Sequence, residues 1–428
     1  MKGFARIVLG FTAVISGLLA SAAMAESLEG RWDATLTIDQ TVIPFRLDIS
    51  GQGASFTGTL FNGDVKVTTT SAKAENGKLV LSFEHYLTKI TATPKEGLLE
   101  GKVEGRFERD RYLSSYPFQA RRHIDTPDAA VDAPVIDGLW EIPYESAKGE
   151  KAWRLIVKQK GPEVSAAVLR VDGDTGALTG TYKNGKFVVS HFDGSRALRA
   201  DITPTKEGTL EIEVSGAYAT STKLTAYRPA VARAKGLPAP VDFDAHTEVR
   251  DPKEAFSFSF PDVNGKLVSN TDPKFKGKVV VAIVTGTWCP NCHDEAQYLV
   301  QLYREYRDQG LEIVALDFEE PEQQEDLSRV RSFVKKYGVE YTYVIAGAPV
   351  DMWEKVPQAV NLNSWPTTFF VGRDGRVKGV HAGFAAPASG EFYSQLKDEF
   401  TGTIERLLAE DSPKLNALNQ SPAVTAQQ

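Results

Sequence analysis

Two cysteines, Cys289 and Cys292, are the only ones in the 428 residues, and Pro290 and Asn291 separate them. An apolar strand is expected directly before this motif and an amphipathic helix directly after it. Free N–H groups and the positive end of a helix dipole at such a helix start stabilise the thiolate form of Cys289. Cys292, one turn further along, is placed to resolve a mixed disulfide. The spacing predicts a redox-active dithiol in which Cys289 attacks, with no cofactor besides the Cys289–Cys292 pair and no metal.

Other roles of a C-x-x-C motif fit this chain less well. A structural bridge across three residues closes a very small loop and restrains little of the unfolded chain. A zinc site needs four ligands, and only His293 and His381 are on offer to complete one. The sequence Cys289–His293 also spells C-x-x-C-H, the signature of c-type haem attachment, with Met352 as a distal ligand. A strand-to-helix turn leaves no evident porphyrin pocket, so we expect His293 to be an exposed residue.

The net charge excludes one class of partner, and the first residues indicate where the protein resides. The net charge of -7 offers no basic face, so no nucleic-acid partner is expected. Residues 1–25 read as a signal peptide, with a positive start, the apolar stretch Ile7–Leu19 and the cleavage pattern Ala23–Ala25. The stretch is short for a span of ~30 Å, which disfavours an uncleaved membrane anchor. We predict a periplasmic or otherwise exported protein.

The N-terminal half alternates apolar and polar residues between turn signals, which is typical of antiparallel β structure. Asn62-Gly63, Asn76-Gly77 and Asn184-Gly185 each predict a hairpin turn, because Asn and Gly tolerate the positive φ angles that such turns need. The pattern covers residues 26–124 and resumes over 136–230.

These two β-rich segments look like copies of one another. Gly30-Arg31-Trp32 recurs as Gly138-Leu139-Trp140, and other short motifs recur at similar offsets. We predict two β-rich repeats, each a barrel or a sandwich, or else two halves of one larger sheet, with Trp32 and Trp140 as equivalent core residues. Residues 123–135 and 229–240 are rich in proline and small or charged residues and are expected to be linkers.

Residues 242–410 change character and alternate strands with amphipathic helices, as an α/β domain does. The expected strands are 278–284, 311–316, 341–345, 367–371 and 377–382, and the expected helices follow the cysteines and cover 324–337 and 391–408. Residues 411–428 are polar and predict a disordered tail. The fold class is therefore multidomain, with two β-rich repeats followed by one α/β domain.

The C-terminal segment resembles the TlpA/ResA-like branch of the thioredoxin superfamily. The resemblance rests on Thr285-Gly286-Thr287-Trp288 before the C-P-N-C motif, on Trp365-Pro366-Thr367-Thr368-Phe369-Phe370, and on the hairpin Gly372-Arg373-Asp374-Gly375. It implies a thioredoxin-like domain with thiol–disulfide oxidoreductase activity. Pro366 then corresponds to the cis-proline of the superfamily, the alternative being an ordinary trans-proline.

The resemblance also implies roles for neighbouring residues. A cis-Pro366 exposes the backbone of Trp365 for strand-like pairing with a substrate, and Trp288 packs over the cysteines. Typical thioredoxins have a buried Asp where this chain has Ile283. The TlpA/ResA-like branch instead has a Glu after the next strand. This points to Glu320 first, and to Glu319 second, as the carboxylate that takes the proton of Cys292. The alternative is a merely solvated acidic loop.

What the resemblance implies about function is a reductase of disulfides in partner proteins. It would be fed by a membrane electron donor of the DsbD or CcdA type, in cytochrome c maturation or metal-site assembly. Two alternatives stay open. One is a redoxin-type thiol peroxidase, expected to be slow because Gly286 stands where peroxiredoxins have Thr. The other is an envelope protein that binds a ligand through its β repeats. The sequence leaves the physiological direction open.

Overall fold

The computed structural model describes residues 28–52, 55–106, 113–125, 132–217 and 219–410. The predicted signal peptide and the predicted C-terminal tail lie outside these residues. Within the described ranges, none of the helices has the length and apolar character that crossing a bilayer requires.

The first β domain is a nine-stranded antiparallel sheet. Its strands are β1 (Gly30–Ile38), β2 (Thr41–Gln52), β3 (Ser55–Asn62), β4 (Val65–Thr68), β5 (Ser71–Glu75), β6 (Lys78–Phe83), β7 (Thr88–Lys95), β8 (Leu98–Gly105) and β9 (Ser114–Arg122). The order β4-β3-β2-β1-β9-β8-β7-β6-β5 pairs the first strand with the last and leaves β4 and β5 at the edges. The sheet curls into a half-barrel around an apolar core.

The second β domain repeats this plan. Its strands are β10 (Gly138–Pro143), β11 (Ala152–Lys160), β12 (Glu163–Arg170), β13 (Gly173–Asp174), β14 (Leu178–Lys183), β15 (Lys186–Phe192), β16 (Ala197–Pro204), β17 (Leu210–Gly216) and β18 (Ala219–Ala226). A bridge between Glu141 and Tyr227 joins the first strand to the end of the last, so this barrel is nearly closed. The prediction of two β-rich repeats is confirmed, as two separate sheets.

The two tryptophans occupy equivalent places. The indole N–H of Trp32 donates to the carbonyl of Leu28 at 2.9 Å, and that of Trp140 donates to the carbonyl of Ile136 at 2.8 Å. Both rings are buried. Each ring is covered by an arginine guanidinium, at 4.3 and 3.8 Å from the ring centre, namely Arg122 and Arg228. Identical local bonding in both domains supports the duplication.

Most of the local predictions hold. The predicted turn at Asn62-Gly63 is shifted by one residue, since Asn62 ends β3 and pairs with Val65, and of the two residues only Gly63 has positive φ. Asn76, Gly77, Asn184 and Gly185 all have positive φ in tight hairpins, as predicted. The segment 229–240, by contrast, is not a simple linker. Pro229–Ala234 forms helix α1, because a proline at the first helical position lacks only an N–H that would have no partner.

The C-terminal domain has a five-stranded mixed sheet of order β24-β23-β22-β26-β27. Its strands are β22 (Val279–Thr285), β23 (Leu311–Phe318), β24 (Thr342–Gly347), β26 (Thr367–Val371) and β27 (Val377–Ala382), and short pairs are formed by β19 (Glu248–Val249) with β25 (Ala359–Val360) and by β20 (Ser259–Pro261) with β21 (Leu267–Ser269). Its helices are α2 (Pro290–Tyr306), α3 (Pro321–Asp326), α4 (Ser328–Tyr337), α5 (Met352–Lys355) and α6 (Glu391–Ala409).

Strand β22 is buried at every residue because apolar clusters cover both faces of the sheet. The helix predicted over 324–337 is two helices, since Leu327 between them adopts a left-handed conformation. The thioredoxin-like fold class is confirmed, and it places the end of β22 and the start of α2 at the sheet edge where Cys289 lies.

Candidate active site

The two cysteines lie at the junction of β22 and α2. Cys289 is the N-cap of α2, and its sulfur accepts the backbone N–H of Cys292 at 3.3 Å. Pro290 occupies the first helical position. Both thiols are free, and they are only 4% and 1% exposed. A helix start that directs an N–H at Cys289 favours negative charge on that sulfur.

Three residues predicted to bind substrate surround Cys289. The Trp365-Pro366 peptide bond is cis, as predicted, and the Cys289 sulfur lies 3.6 Å from the carbonyl oxygen of Trp365. The rings of Trp288 and Trp365 meet edge to face with centroids 5.0 Å apart. The indole N–H of Trp288 donates to the carbonyl of Phe318 at 2.8 Å. The tertiary fold therefore brings Trp288, Trp365 and Pro366 together around the thiol.

Cys292 lies in a small, closed, largely apolar pocket. The side chains that line it with Cys292 include Ile283, Thr285, Glu295 and Tyr343. Burial raises the pKa of the Cys292 thiol well above its usual value, and the neighbouring Cys289 raises it further. A thiol held protonated in this way needs a base before it can act as a nucleophile.

Glu295 is the candidate for that base, and the sequence reasoning missed it. Its carboxyl is 1% exposed, accepts the hydroxyl of Thr368 at 2.5 Å, and has a pKa raised to about 8 by burial. The available signal was its position three residues after Cys292, which places both side chains on one face of a helix.

Glu320, the carboxylate predicted for this role, lies elsewhere, and this prediction is corrected. Its side chain is paired with Arg329 at 2.9 Å and with Arg106 at 3.2 Å, and it is not one of the described residues that line the Cys292 pocket. Its neighbour Glu319, fully buried, accepts the N–H of Thr287 at 2.8 Å and pairs with Arg329 at 2.6 Å. Glu319 therefore stabilises the loop before the cysteines. The guanidinium groups of Arg329 and Arg106 in turn bind the two carboxylates in the turn between β23 and α3.

His293 is also placed differently from the prediction, since it is fully buried rather than exposed. One ring nitrogen is 2.7 Å from the carbonyl of Thr287 and the other is 3.0 Å from the hydroxyl of Tyr337. Burial lowers the pKa of His293 well below its usual value. With both nitrogens engaged by the protein, His293 is not available to a haem iron or a zinc ion.

The first β domain contacts the active-site helix from behind. Tyr86, in the turn between β6 and β7, packs its ring 4.3 Å from that of His293. The ammonium of Lys336 in α4 donates to the carbonyl of Thr68 at 2.9 Å. The predicted exposure of His293 is wrong because Tyr86 from this other domain and Phe333 and Tyr337 of α4 pack against its ring.

The second β domain contacts the C-P-N-C motif itself. The guanidinium of Arg196 donates to the side-chain oxygen of Asn291 at 2.6 Å and pairs with Asp294 at 3.2 Å. The side-chain amide of Asn291 donates to the carbonyl of Asp172 at 2.8 Å. Asp172 also accepts the backbone N–H of Trp365 at 3.1 Å, so the backbone that we expected to be open to substrate is already bonded.

A large cavity is separate from this chemistry. It measures about 920 Å³ and lies between the two β domains, with a lining that includes Arg31, Asp33, Glu163 and Lys183. The residues that line it include neither cysteine. Size alone therefore does not identify the reactive site, which we assign to the buried dithiol.

Comparisons with known proteins agree with this placement. Residues 252–380, which include both cysteines and Pro366, match the model of the AhpC/TSA family. The thiol-disulfide oxidoreductase ResA of Bacillus subtilis is 32% identical over 141 residues, which are 33% of this chain and 72% of that protein. ResA of Bacillus anthracis is 35% identical over 125 residues, 29% of this chain. The chain spans 65% of the length of that second relative.

Solved structures of similar fold include a thiol:disulfide interchange protein of the thioredoxin family from Chlorobium tepidum. It is 24% identical, with a TM-score of 0.29, and the match covers 38% of this chain and 99% of that one. A secreted disulfide oxidoreductase from Mycobacterium tuberculosis is 23% identical, with a TM-score of 0.27 and coverage of 35% and 96%.

Proposed function

This chain belongs, through its C-terminal domain, to the family of the ResA thiol-disulfide oxidoreductases, and from that premise we propose that it exchanges disulfides with partner proteins through Cys289 and Cys292. The predicted TlpA/ResA-like resemblance is thereby confirmed. The observation that carries the proposal is the position of the Cys289 sulfur at the start of α2, 3.6 Å from the carbonyl that precedes the cis-proline.

In the first step, the thiolate of Cys289 attacks one sulfur of a partner disulfide. A mixed disulfide forms between Cys289 and the partner, and the other partner sulfur leaves as a thiolate that takes up a proton. Trp288 and Trp365 shield the new bond from water on the exposed side.

In the second step, Cys292 loses its proton and attacks the Cys289 sulfur of the mixed disulfide. The partner sulfur leaves as a thiolate that takes up a proton from the solvent, so the partner ends with two thiols. The enzyme holds the Cys289–Cys292 disulfide, and two electrons have passed to the partner. Glu295 accepts the proton of Cys292, because it is the carboxylate in the same small pocket. Its pKa of about 8 suits a group that exchanges a proton with a thiol near neutral pH.

The cycle needs a source of electrons to reduce Cys289–Cys292 again. We propose an exported protein that is recharged by a membrane donor of the DsbD or CcdA type and that reduces disulfides during cytochrome c maturation or metal-site assembly. The signal-like residues 1–25 support export.

Trapping of the mixed disulfide tests this function. A Cys292→Ser variant lacks the resolving thiol, so a partner should remain linked to Cys289 when the reduced variant is mixed with insulin or with an envelope extract. Non-reducing electrophoresis should show the adduct, which dithiothreitol should dissolve. The control, Cys289→Ser, should form none. Equal adduct from both variants, or insulin reduction that survives Cys289→Ser, would refute the assignment.

A thiol peroxidase is the second candidate, favoured by the AhpC/TSA match. In that case the wild type should consume hydrogen peroxide with a thiol reductant, in a Cys289-dependent manner and faster than it reduces insulin. We expect the opposite ranking, since Gly286 lies where the peroxidatic loop needs a hydroxyl.

A further inference from the structure

A loop of the second β domain lies across the edge of the thioredoxin-like domain beside the cis-proline. This docking loop, Val171–Asp174, follows β12 directly and includes the two residues of β13. Gly173 forms an isolated parallel bridge with Phe384, which follows β27. The loop therefore adds a short extended segment to the domain that holds the cysteines.

The docking loop is bonded to groups around the cis-proline through its backbone. The carbonyl of Val171 accepts the hydroxyl of Ser364 at 2.9 Å. The carbonyl of Asp172 accepts the side-chain amide of Asn291 at 2.8 Å and the N–H of Phe384 at 3.3 Å. An extended peptide bound to this edge would use the same main-chain groups.

The side chain of Asp172 completes the contact. Its carboxylate accepts the N–H of Trp365 at 3.1 Å and also pairs with Lys148 of its own domain. A backbone donor that already has a charged acceptor is not free to pair with another chain. The carbonyl oxygen of Trp365 in turn lies 3.6 Å from the sulfur of Cys289.

Two glycines allow this close approach. Gly173 has a φ of +115°, and a Cβ built there would lie 2.2 Å from the carbonyl oxygen of Phe384. Gly383 has a φ of +70°, and a Cβ there would lie 2.1 Å from the carbonyl oxygen of Val171. Neither position has room for a side chain, so the two backbones meet in direct contact.

We propose that the docking loop is a built-in competitor for the substrate edge, so that a disulfide carried on an extended protein segment must displace Val171–Asp174 before it pairs with Trp365. This inference rests on the proposed thiol–disulfide exchange. While the loop is docked, Cys289 is only 4% exposed. The apparent affinity for an extended partner is lowered in proportion to the fraction of molecules with the loop released. A small disulfide needs no backbone pairing and is affected less.

Single-turnover oxidation of the reduced full-length protein, followed by tryptophan fluorescence, tests the competition. Insulin serves as the extended disulfide and 2-hydroxyethyl disulfide as a small, uncharged one. Asp172→Ala should accelerate the reaction with insulin about tenfold, since a hydrogen bond to a charged group is lost from the docked state. The reaction with 2-hydroxyethyl disulfide should change less than threefold.

Matched variants separate competition from other effects. Asp172→Asn keeps an oxygen acceptor for the Trp365 N–H and should stay within threefold of wild type with insulin. Asp242→Ala removes a bond between the same two domains that does not involve the docking loop, the 3.5 Å pair of Asp242 with Arg154, and should likewise leave the insulin rate unchanged. Ser364→Ala breaks the contact with Val171 from the opposite side and should accelerate insulin about threefold, which keeps the test available if Asp172→Ala does not fold.

The outcomes are distinct. Unchanged or slower oxidation of folded Asp172→Ala and Ser364→Ala by insulin would overturn the inference, as would equal acceleration with both disulfides, which would indicate a change in the thiol itself. If the wild type shows no Cys289-dependent reaction with either disulfide, the proposed function fails. If the wild type reacts and the variants match it, only the competition fails.

Discussion

The two β domains have equivalent cores, but they contact the thioredoxin-like domain in different ways. In both, an indole N–H donates to a carbonyl four residues earlier beneath an arginine. The first domain presents Tyr86 to the buried ring of His293, behind the active-site helix. The second presents Val171–Asp174 and Arg196 to the front of that helix, at the C-P-N-C motif.

The chemical nature of the two contacts suggests two different duties. Aromatic rings packed out of water are stabilised by burial and have no alternative partner once separated. Hydrogen bonds of main-chain and polar groups can be exchanged for bonds to water or to another peptide at small net cost. The first contact is therefore expected to be a permanent support and the second a releasable one. Duplication preserved the barrel core, while the loops between strands diverged.

The largest expected effect concerns the thioredoxin-like domain alone, because the residue that is changed, Glu295, lies inside it. Glu295 faces the core of that domain, and burial raises its pKa to about 8 from an ordinary value of 4.5. The folded state therefore favours the protonated acid, and this contribution to stability is complete below about pH 4.5 and is lost as the pH rises through about 8. Relative to Glu295→Gln, which stays neutral, the wild type should lose about 4 kcal/mol of unfolding free energy over this range.

Urea unfolding at several pH values measures this difference for the two proteins. The Gln variant should show the flatter profile. Parallel profiles for wild type and Glu295→Gln would mean that Glu295 titrates as an exposed carboxyl does, and its role as proton acceptor for Cys292 would lose its basis.

The support role of the first β domain is tested by Tyr86→Ala. Loss of the ring that packs on His293 should lower the unfolding free energy by about 3 kcal/mol. The single-turnover rate with insulin should stay within threefold of wild type, in contrast to Asp172→Ala. Tyr144→Ala is the control, because it removes an aromatic contact within the second domain, where the ring centroids of Tyr144 and Trp153 are 4.0 Å apart. A tenfold change in rate without loss of stability in Tyr86→Ala would erase the distinction between the two contacts.

The smallest expected effect concerns the equivalent core tryptophans of the two β domains. Trp32→Phe and Trp140→Phe each remove one indole N–H from a carbonyl and weaken one arginine contact. Each should cost about 1–2 kcal/mol, and the two costs should agree within about 0.5 kcal/mol if the sites are equivalent. Chemical denaturation of each variant gives the comparison, and a disparity above about 1.5 kcal/mol would argue that the domains have diverged in their cores as well.

Much of the architecture was accessible from residue patterns because it is locally encoded. Strands Thr367–Val371 and Val377–Ala382 have the predicted bounds, since apolar alternation and apolar runs report on burial within one element. The Asn-Gly hairpins and the helix start at Cys289 follow from backbone preferences of single residues. The cis-proline entered through the family resemblance rather than through any local pattern.

Two errors at the site have different causes. Glu320 was chosen from the family resemblance, although the position of Glu295 three residues after Cys292 was a local signal in the sequence. The other error comes from contact between segments distant in sequence. His293 was expected to be exposed, since nothing near it in sequence indicates that Tyr86, more than 200 residues earlier, covers it.

By itself, the sequence determined that this protein has one cysteine pair, at the start of a helix, because the chain has no other cysteines and the flanking periodicity is local. The tertiary structure alone decided which distant groups surround that pair: Tyr86 behind and Asp172 in front. Long-range packing determines these contacts. Because hydrophobic burial is non-directional, the apolar pattern of one segment does not show which distant segment packs against it.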